Sequence, residues 1–294
     1  MNHKVVLFYN PIAGSGNFKN RLDKVILIMQ NKGLQLIPYR ISTGQDIVQY
    51  LSSVDCTEYY TVAAAGGDGT INSVANAMMK TGFRVPLAIF PEGTSNDVAH
   101  FLHIPRLVSH YCHIIGEGKL TSIDLGLVNE TYFINVASGG FITETAHEVD
   151  QRFKNVLGKM AYYLKSIEKI PRIQPLQLKL SADHKDYEME VLLFLILNGG
   201  TAGSFPGIVP QARMDDGLLE FLAIKSVPLP RLAQLIYNFS RGQHLEDPNV
   251  FYCQAHDLDL KVTPDVATDL DGEKGPDLPW KISVCKHALQ IWTP

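Results

Sequence analysis

Three short polar stretches hold the residues of the first hundred positions that could do chemistry: Asn10-Pro11-Ile12-Ala13-Gly14-Ser15-Gly16, Gly66-Gly67-Asp68-Gly69-Thr70, and Pro91-Glu92-Gly93-Thr94-Ser95-Asn96-Asp97. Glycine-rich backbone between a strand and a helix exposes N–H groups near a helix N-terminus, which suits a phosphate. Asp68 stands out there, because a carboxylate beside a phosphate repels it unless a cation lies between them. Gly66–Thr70 therefore reads as a cradle for nucleotide phosphates with Mg²⁺. Taken alone it reads equally as a tight turn that needs glycine dihedrals, with Thr70 as a helix N-cap.

The elements around these stretches decide between the two readings. Val5–Tyr9, Thr61–Ala65 and Leu87–Phe90 are apolar runs that read as strands, and Leu34–Ile41 reads as another. Helical spacing follows in Leu22, Val25, Ile26 and Met29 with Gly33 as C-cap, in Asp46–Leu51, in Ile71, Val74, Ala75, Met78 and Met79, and in Val98, Phe101 and Leu102. Thr94 and Asp97 resemble a capping box. Repeated strand–loop–helix units predict a parallel sheet with right-handed crossovers, which places all three loops at its carboxyl edge, where ligands bind in open α/β sheets. Shared placement favours the cradle. No GxxxxGK[ST] occurs, and no GxGxxG follows the first strand, so neither a P-loop nor an ordinary dinucleotide fold is expected.

After about Thr121 the pattern changes. Ile123–Val128 and Tyr132–Val136 read as a hairpin around Asn129-Glu130, and Glu144–Ile170 as a helical stretch stopped by Pro171. Leu176–Ser181, Glu188–Leu197, Leu218–Ile224, Leu258–Val262 and Lys281–Val284 read as further strands, with a turn at Asp183–Asp186. Two acidic segments stand out. Arg213-Met214-Asp215-Asp216-Gly217-Leu218 could offer a side chain and turn carbonyls to a hard cation, although by itself it reads first as a turn. Asp269-Leu270-Asp271-Gly272-Glu273 by itself reads as a hairpin turn with exposed acids.

Composition excludes several classes. At 46% hydrophobic and 19% charged residues the 294-residue chain can bury a sizeable core, and a net charge of −4 gives no basic surface for nucleic acid. The four cysteines form no CxxC pair, consistent with a reduced cytoplasmic protein. Lys4 and the run Val5–Tyr9, cut short by Asn10-Pro11, do not make a secretory leader. The longest apolar run, Val191–Leu197, is far too short to span a bilayer, so any membrane contact is peripheral. His100, His103, His110, Cys112 and His113 have no zinc spacing. Leu157, Ala161, Leu164 and Ile167 form a helical core stripe, Lys159, Lys165 and Lys169 a solvated face, and Trp280 and Trp292 are packing residues.

Asn10-Pro11-x-Ala13-Gly14-x-Gly16, Gly66-Gly67-Asp68-Gly69-Thr70-Ile71-Asn72 and Pro91-x-Gly93-Thr94-x-Asn96-Asp97 together resemble the diacylglycerol kinase catalytic-domain family, whose GGDGT core is shared with NAD kinases and phosphofructokinases. The resemblance covers essentially the whole chain. It implies an α/β plus β fold: a Rossmann-like nucleotide-binding domain over 1–122 with a parallel sheet, a β-sandwich-like lipid-binding domain over 123–286, a tail over 287–294 returning to the first domain, and an active site in the cleft. It implies ATP and Mg²⁺ as cofactors, a lipid substrate at the membrane surface reached by transient contact, and no transmembrane segment. A homodimer is the default oligomeric state.

By the same resemblance, Asn10, Pro11, Ile12, Ala13, Gly14, Gly66, Gly67, Asp68, Gly69, Thr70, Asn72, Gly93, Thr94, Asn96 and Asp97 hold the nucleotide. Arg40 or Thr43, in a loop that does not align cleanly with the family, is a further candidate. Asp68 organises catalytic Mg²⁺. Asp216 and the carbonyls of Arg213 and Leu218 hold a structural Mg²⁺, with Asp215 linked through water toward Asp68. Glu273 is the general base. Diacylglycerol is the leading acceptor. Ser73 stands where the family usually has Glu, which keeps two alternatives open: a kinase for another lipid alcohol, such as a sphingoid base or a glycerophospholipid head group, and a non-catalytic nucleotide sensor.

Overall fold

The computed structural model describes residues 3–140, 174–203, 207–228, 231, 234–235, 238–239 and 242–294. The expected helix over 144–170, with its stripe of Leu157, Ala161, Leu164 and Ile167 and its lysines Lys159, Lys165 and Lys169, lies outside the described residues. The chain divides into two compact units, Met1–Leu125 with Cys285–Pro294, and Gly126–Val284.

The first unit is a parallel sheet covered by helices. Strands β1 (Lys4–Tyr9), β2 (Gln35–Arg40), β3 (Tyr59–Gly66) and β4 (Leu87–Pro91) lie in the order β2-β1-β3-β4. Val6 pairs with Ile37 and Val62, and Ala64 with Ile89. Farther along the chain, Ile291 pairs in parallel with Leu87. Val5, Val6, Leu7, Phe8, Val62, Ala63, Ala64 and Ala65 are wholly buried, as parallel strands covered on both faces must be. Helices α1 (Leu22–Asn31), α2 (Gly44–Ser52) and α3 (Asp68–Thr81) follow β1, β2 and β3. A short helix α4 (Asp97–Phe101) follows β4, and then α5 (Val108–Glu117). α2 packs on α3 and α1 on α5. That pairing follows from the strand order: the chain leaves β1 in one direction and β3 in the other, which puts the crossovers on opposite faces. The carboxyl ends of β1 and β3 therefore flank the point where the order reverses, the crevice position of open α/β sheets.

Two local details differ from expectation. The N-cap of α3 is Gly67, with Asp68 at the first helical position and Thr70 inside the first turn. The N-cap of α4 is Asn96, in the left-handed region at φ 57°. Its Oδ1 accepts from Gly93 N at 2.8 Å and its Nδ2 donates to Gly93 O at 2.8 Å. A side chain that satisfies both backbone groups of a glycine three residues back displaces the Thr94–Asp97 capping box.

The second unit is antiparallel. Its strands include the end of β5 (Lys119–Val128), then β6 (Thr131–Phe133), β7 (Val136–Gly140), β8 (Leu176–Ala182), β9 (Lys185–Leu197), β10 (Leu219–Lys225), β11 (Val250–Ala255), β12 (Asp257–Thr263), β13 (Thr268–Leu270), β14 (Glu273–Lys274) and the start of β15 (Trp280–Thr293). β9 pairs with β7, β8 and β10, and β12 with β8 and β15. β9 from Val191 onward, and β10, are buried on both faces. Phe194, Ile196, Phe221 and Ala223 enter one core with Leu178, Leu258 and Trp280. Leu193, Leu197, Leu222 and Ile224 enter a second with Val209 and Leu235. Two-sided burial is why these strands read as unbroken apolar runs, whereas β12 alternates Leu258, Leu260 and Val262 inward with Asp257, Asp259 and Lys261 outward.

Candidate functional site

In the first unit the three polar stretches meet. The chain leaves β3 and enters α3 with only Gly67 between them. The first N–H groups of α3 have no intrahelical carbonyl to donate to, so this terminus presents donors and the positive end of the helix dipole. Asn10, just after β1, donates its backbone N–H to Ala65 O at 3.0 Å and its Nδ2 to Thr70 Oγ1 at 3.4 Å. Its Oδ1 accepts from Ile12 N at 3.1 Å and so shapes the Pro11–Gly14 turn. Glu92 N donates to Gly66 O at 2.9 Å, and Val98 N to Asp68 Oδ1 at 3.1 Å.

Two glycines are required by close approach. A Cβ on Gly93 would lie 2.3 Å from Gly67 Cα, backbone that cannot step aside. Gly14 sits at φ 56°, and a Cβ there would meet Glu92 O at 2.2 Å. Backbone packed this tightly can approach a phosphate closely, and the exposed Thr94 and half-buried Asp68 add a hydroxyl and a charge at the same edge. Asp68 spends one oxygen on Val98, and a carboxylate keeps further acceptor capacity for a hard cation.

Other expected residues have structural partners. Asn72 is buried within α3, where its Oδ1 accepts from Asn76 Nδ2 at 2.7 Å. Asn96 is engaged by Gly93, and Asp97 is buried. Thr43 is the N-cap of α2: its hydroxyl donates to Asp46 Oδ1 at 3.0 Å, and Asp46 Oδ2 accepts from Thr43 N at 2.9 Å. The Thr43 backbone N–H, the Thr43 hydroxyl and the Ser42 N–H hold the Asp46 carboxyl below its usual range. No described hydrogen bond joins Thr43 to the three loops.

The second unit carries the two acidic segments. Asp216 Oδ1 accepts from Leu218 N at 3.0 Å, an Asx turn that Gly217 completes at φ 75°. Asp215 is gripped by Arg213, with Nε to Oδ1 at 3.0 Å and Nη2 to Oδ2 at 3.2 Å. Among the described residues no group of three or more His, Cys, Asp or Glu could hold a metal. An ion here would rest on a single carboxylate, Asp216, with the Arg213 and Leu218 carbonyls; an all-oxygen set of that kind fits Mg²⁺ or Ca²⁺.

Asp269–Glu273 is the β13–β14 hairpin turn, but its acids are not all exposed. Asp271 is only 4% exposed. Its carboxylate accepts three backbone N–H bonds, from Ile134 at 2.6 Å, Asn135 at 3.0 Å and Val136 at 2.8 Å. Asp271 N donates in turn to Val136 O at 2.9 Å, and Gly272 N to Asp269 Oδ1 at 2.9 Å. The turn is thus pinned to the β6–β7 connection, and Glu273, two residues on, is exposed. Sequence reasoning missed this anchor; the only local signal was the left-handed Asp271-Gly272 pair that a tight turn demands.

Residues 4–128 match the family model of the diacylglycerol kinase catalytic domain, and residues 135–293 that of the YegS C-terminal NAD kinase beta sandwich-like domain. A diacylglycerol kinase of Staphylococcus saprophyticus subsp. saprophyticus is 31% identical over 100% of this chain and 96% of its own length. That of Staphylococcus carnosus is likewise 31% identical over 100% of this chain and 96% of its own. A crystal structure of a diacylglycerol kinase-like protein from Bacillus anthracis str. Sterne, 25% identical, superposes with a TM-score of 0.84 over 99% of this chain and 95% of that one. The loop motifs, the parallel sheet of the first unit, the β-sandwich second unit and these matches agree: the chain belongs to the diacylglycerol kinase family of lipid kinases.

Proposed function

We propose that this lipid kinase uses ATP and Mg²⁺ to phosphorylate the free hydroxyl of diacylglycerol, giving phosphatidic acid and ADP. The observation that carries the reading is the meeting of three loops at the N-terminus of α3, tied by Asn10 to Thr70 and by Val98 to Asp68. Backbone donors of Asn10–Gly14, Gly67–Thr70 and Gly93, with the Thr94 hydroxyl, hold the phosphates. Asp68 holds the catalytic metal directly or through water. Mg²⁺, when bound, supplies the positive charge that neutralises phosphate oxygens. Glu273 accepts the acceptor hydroxyl's proton as its oxygen bonds to the γ-phosphorus and the bond to the β-phosphate oxygen breaks. An ordinary carboxylate suffices, because phosphoryl transfer depends chiefly on positioning and charge neutralisation. The second unit binds the acceptor, and the enzyme meets its lipid at the bilayer surface. No helix among the described residues is long and apolar enough to cross a membrane.

The test is incubation of the full chain with radiolabelled ATP, Mg²⁺ and vesicles containing diacylglycerol, a sphingoid base and a glycerophospholipid with a free head-group hydroxyl. Labelled phosphatidic acid is expected. Label only in a sphingoid base or a glycerophospholipid head group would change the acceptor. ATP binding with no labelled lipid from any of them would make the chain a nucleotide sensor.

A further inference from the structure

Glu92 takes no part in the reaction above, yet its side chain accepts three hydrogen bonds. Its carboxylate is only 7% exposed. Arg21 Nη1 bridges both oxygens, at 3.0 Å to Oε1 and 2.9 Å to Oε2, and the Tyr111 hydroxyl donates to Oε1 at 3.0 Å. The Tyr111 ring is stacked on Phe90 at 4.3 Å with planes 23° apart, so its hydroxyl is held in place. Arg21 ends the short 3₁₀ turn Phe18–Arg21 that closes the first loop, and buried Phe18 anchors that turn in the core. The main chain of Glu92 is equally committed. Its N–H bonds Gly66, and its carbonyl lies where Gly14 would carry a Cβ.

We propose that Glu92 and Arg21 are positioning residues: their ion pair is a brace that sets the spacing between the first loop and Gly93, and so sets nucleotide affinity rather than the rate of phosphoryl transfer. The proposal rests on the three loops being the ATP site. No described backbone hydrogen bond joins Pro11–Gly16 to Pro91–Asp97, so side chains carry the connection between the first and third loops. Arg21 is half exposed. Solvent screens the Arg21 side of the pair, whereas loss of Arg21 leaves the nearly buried Glu92 carboxylate with Tyr111 alone and so costs some stability, which Glu92→Gln avoids. Loss of the pair also lets the first loop sample arrangements that cannot hold the phosphates. Binding must then select the competent fraction, and apparent affinity falls in proportion.

The experiment compares Glu92→Gln, Arg21→Gln and the double variant in the full chain. The Glu92→Gln change keeps the side-chain volume and an oxygen for Tyr111. If the competent fraction falls to about a fifth, the ATP KM rises roughly fivefold in each single variant. The double variant is expected to be no worse than either, because both changes break one contact. Saturated kcat is expected within twofold of wild type, and the melting temperature of Glu92→Gln nearly unchanged. Arg21→Lys, which keeps the charge, is expected to recover part of the affinity. Unaltered KM in both single variants, additive losses in the double variant, or a kcat loss at constant KM would each overturn the brace. A wild-type chain that takes up no ATP would sink the reading of the site and the brace with it, whereas ATP binding with unmoved KM would sink the brace alone.

Discussion

The Asp68 carboxylate accepts the backbone N–H of Val98 at 3.1 Å, which links the first residue of α3 to the helix that follows the third loop. A carboxylate at a helix N-terminus is held by the dipole, and here one oxygen is also fixed by a specific donor. Substitution by Asn keeps an oxygen for Val98 and removes only the charge. Asp68→Asn is therefore expected to fold normally and to lose turnover by about 100-fold, the scale of removing one electrostatic group from a preorganised site. Steady-state kinetics beside a melting curve checks this. Full activity in a charge-free variant would mean that Asp68 does not hold the metal.

Glu273 and Asp271 separate chemistry from scaffold. Glu273→Gln leaves an exposed side chain of similar shape, so ATP affinity is expected to persist while kcat falls by about 10²- to 10⁴-fold. Asp271→Ala strips acceptors from three backbone N–H groups, two of them in buried hydrogen bonds, and should cost roughly 3 kcal/mol or more of stability. Urea unfolding and nucleotide titration on both variants distinguish the two. Turnover that survives in Glu273→Gln removes it as the base.

Gly93→Ala tests the close packing of the loops. Its Cβ would collide with Gly67 Cα, so the second and third loops must separate. ATP affinity is expected to fall at least tenfold. Gly44→Ala, where nothing lies within 4 Å of the added Cβ, is the control and should leave nucleotide binding unchanged. Competition with a fluorescent nucleotide measures both.

The Asp216 turn predicts a metal-linked stability. Ligands that bind only the folded state raise its melting temperature. A chelator should lower the transition of the wild type and leave that of Asp216→Ala unmoved. Equal melting of the wild type with and without chelator would remove the structural ion.

His244 predicts a pH dependence of stability. It is wholly buried, stacked on Phe239 at 3.9 Å, with Nε2 at 2.6 Å from Ile208 O. Burial pushes its pKa below the ordinary histidine value, against the opposite pull of that carbonyl. Above about pH 6.5 neither the folded nor the unfolded chain binds this proton, so the group adds no pH dependence. Below that the unfolded chain takes up a proton that the folded chain refuses, and stability falls with pH. The urea midpoint of the wild type should drop between pH 7.5 and 5.5, and the drop should be smaller in His244→Gln.

What the sequence by itself determined is what local pattern encodes. Val5–Tyr9, Thr61–Ala65 and Leu87–Phe90 announce buried strands because parallel strands covered on both faces must be apolar throughout. The glycines behind them mark loops because few other residues fit their backbone. The two-domain order, α/β and then β, follows from the change of period near Thr121. The tertiary structure alone decided the rest. Asp271 reads in sequence as an exposed acid, and only folding closes three N–H donors around it from more than 130 residues away. Glu92 is an unassigned position between Pro91 and Gly93 until Arg21, 71 residues earlier, reaches its carboxylate. Asn96, its side chain bonded back to Gly93, and not Thr94 stands at the N-cap of α4, and β11 is not distinguished as a strand until it pairs with β10. Asp271, Glu92 and β11 depend on which distant groups folding brings within about 3 Å, a distance at which hydrogen bonds and burial act and to which sequence spacing is blind.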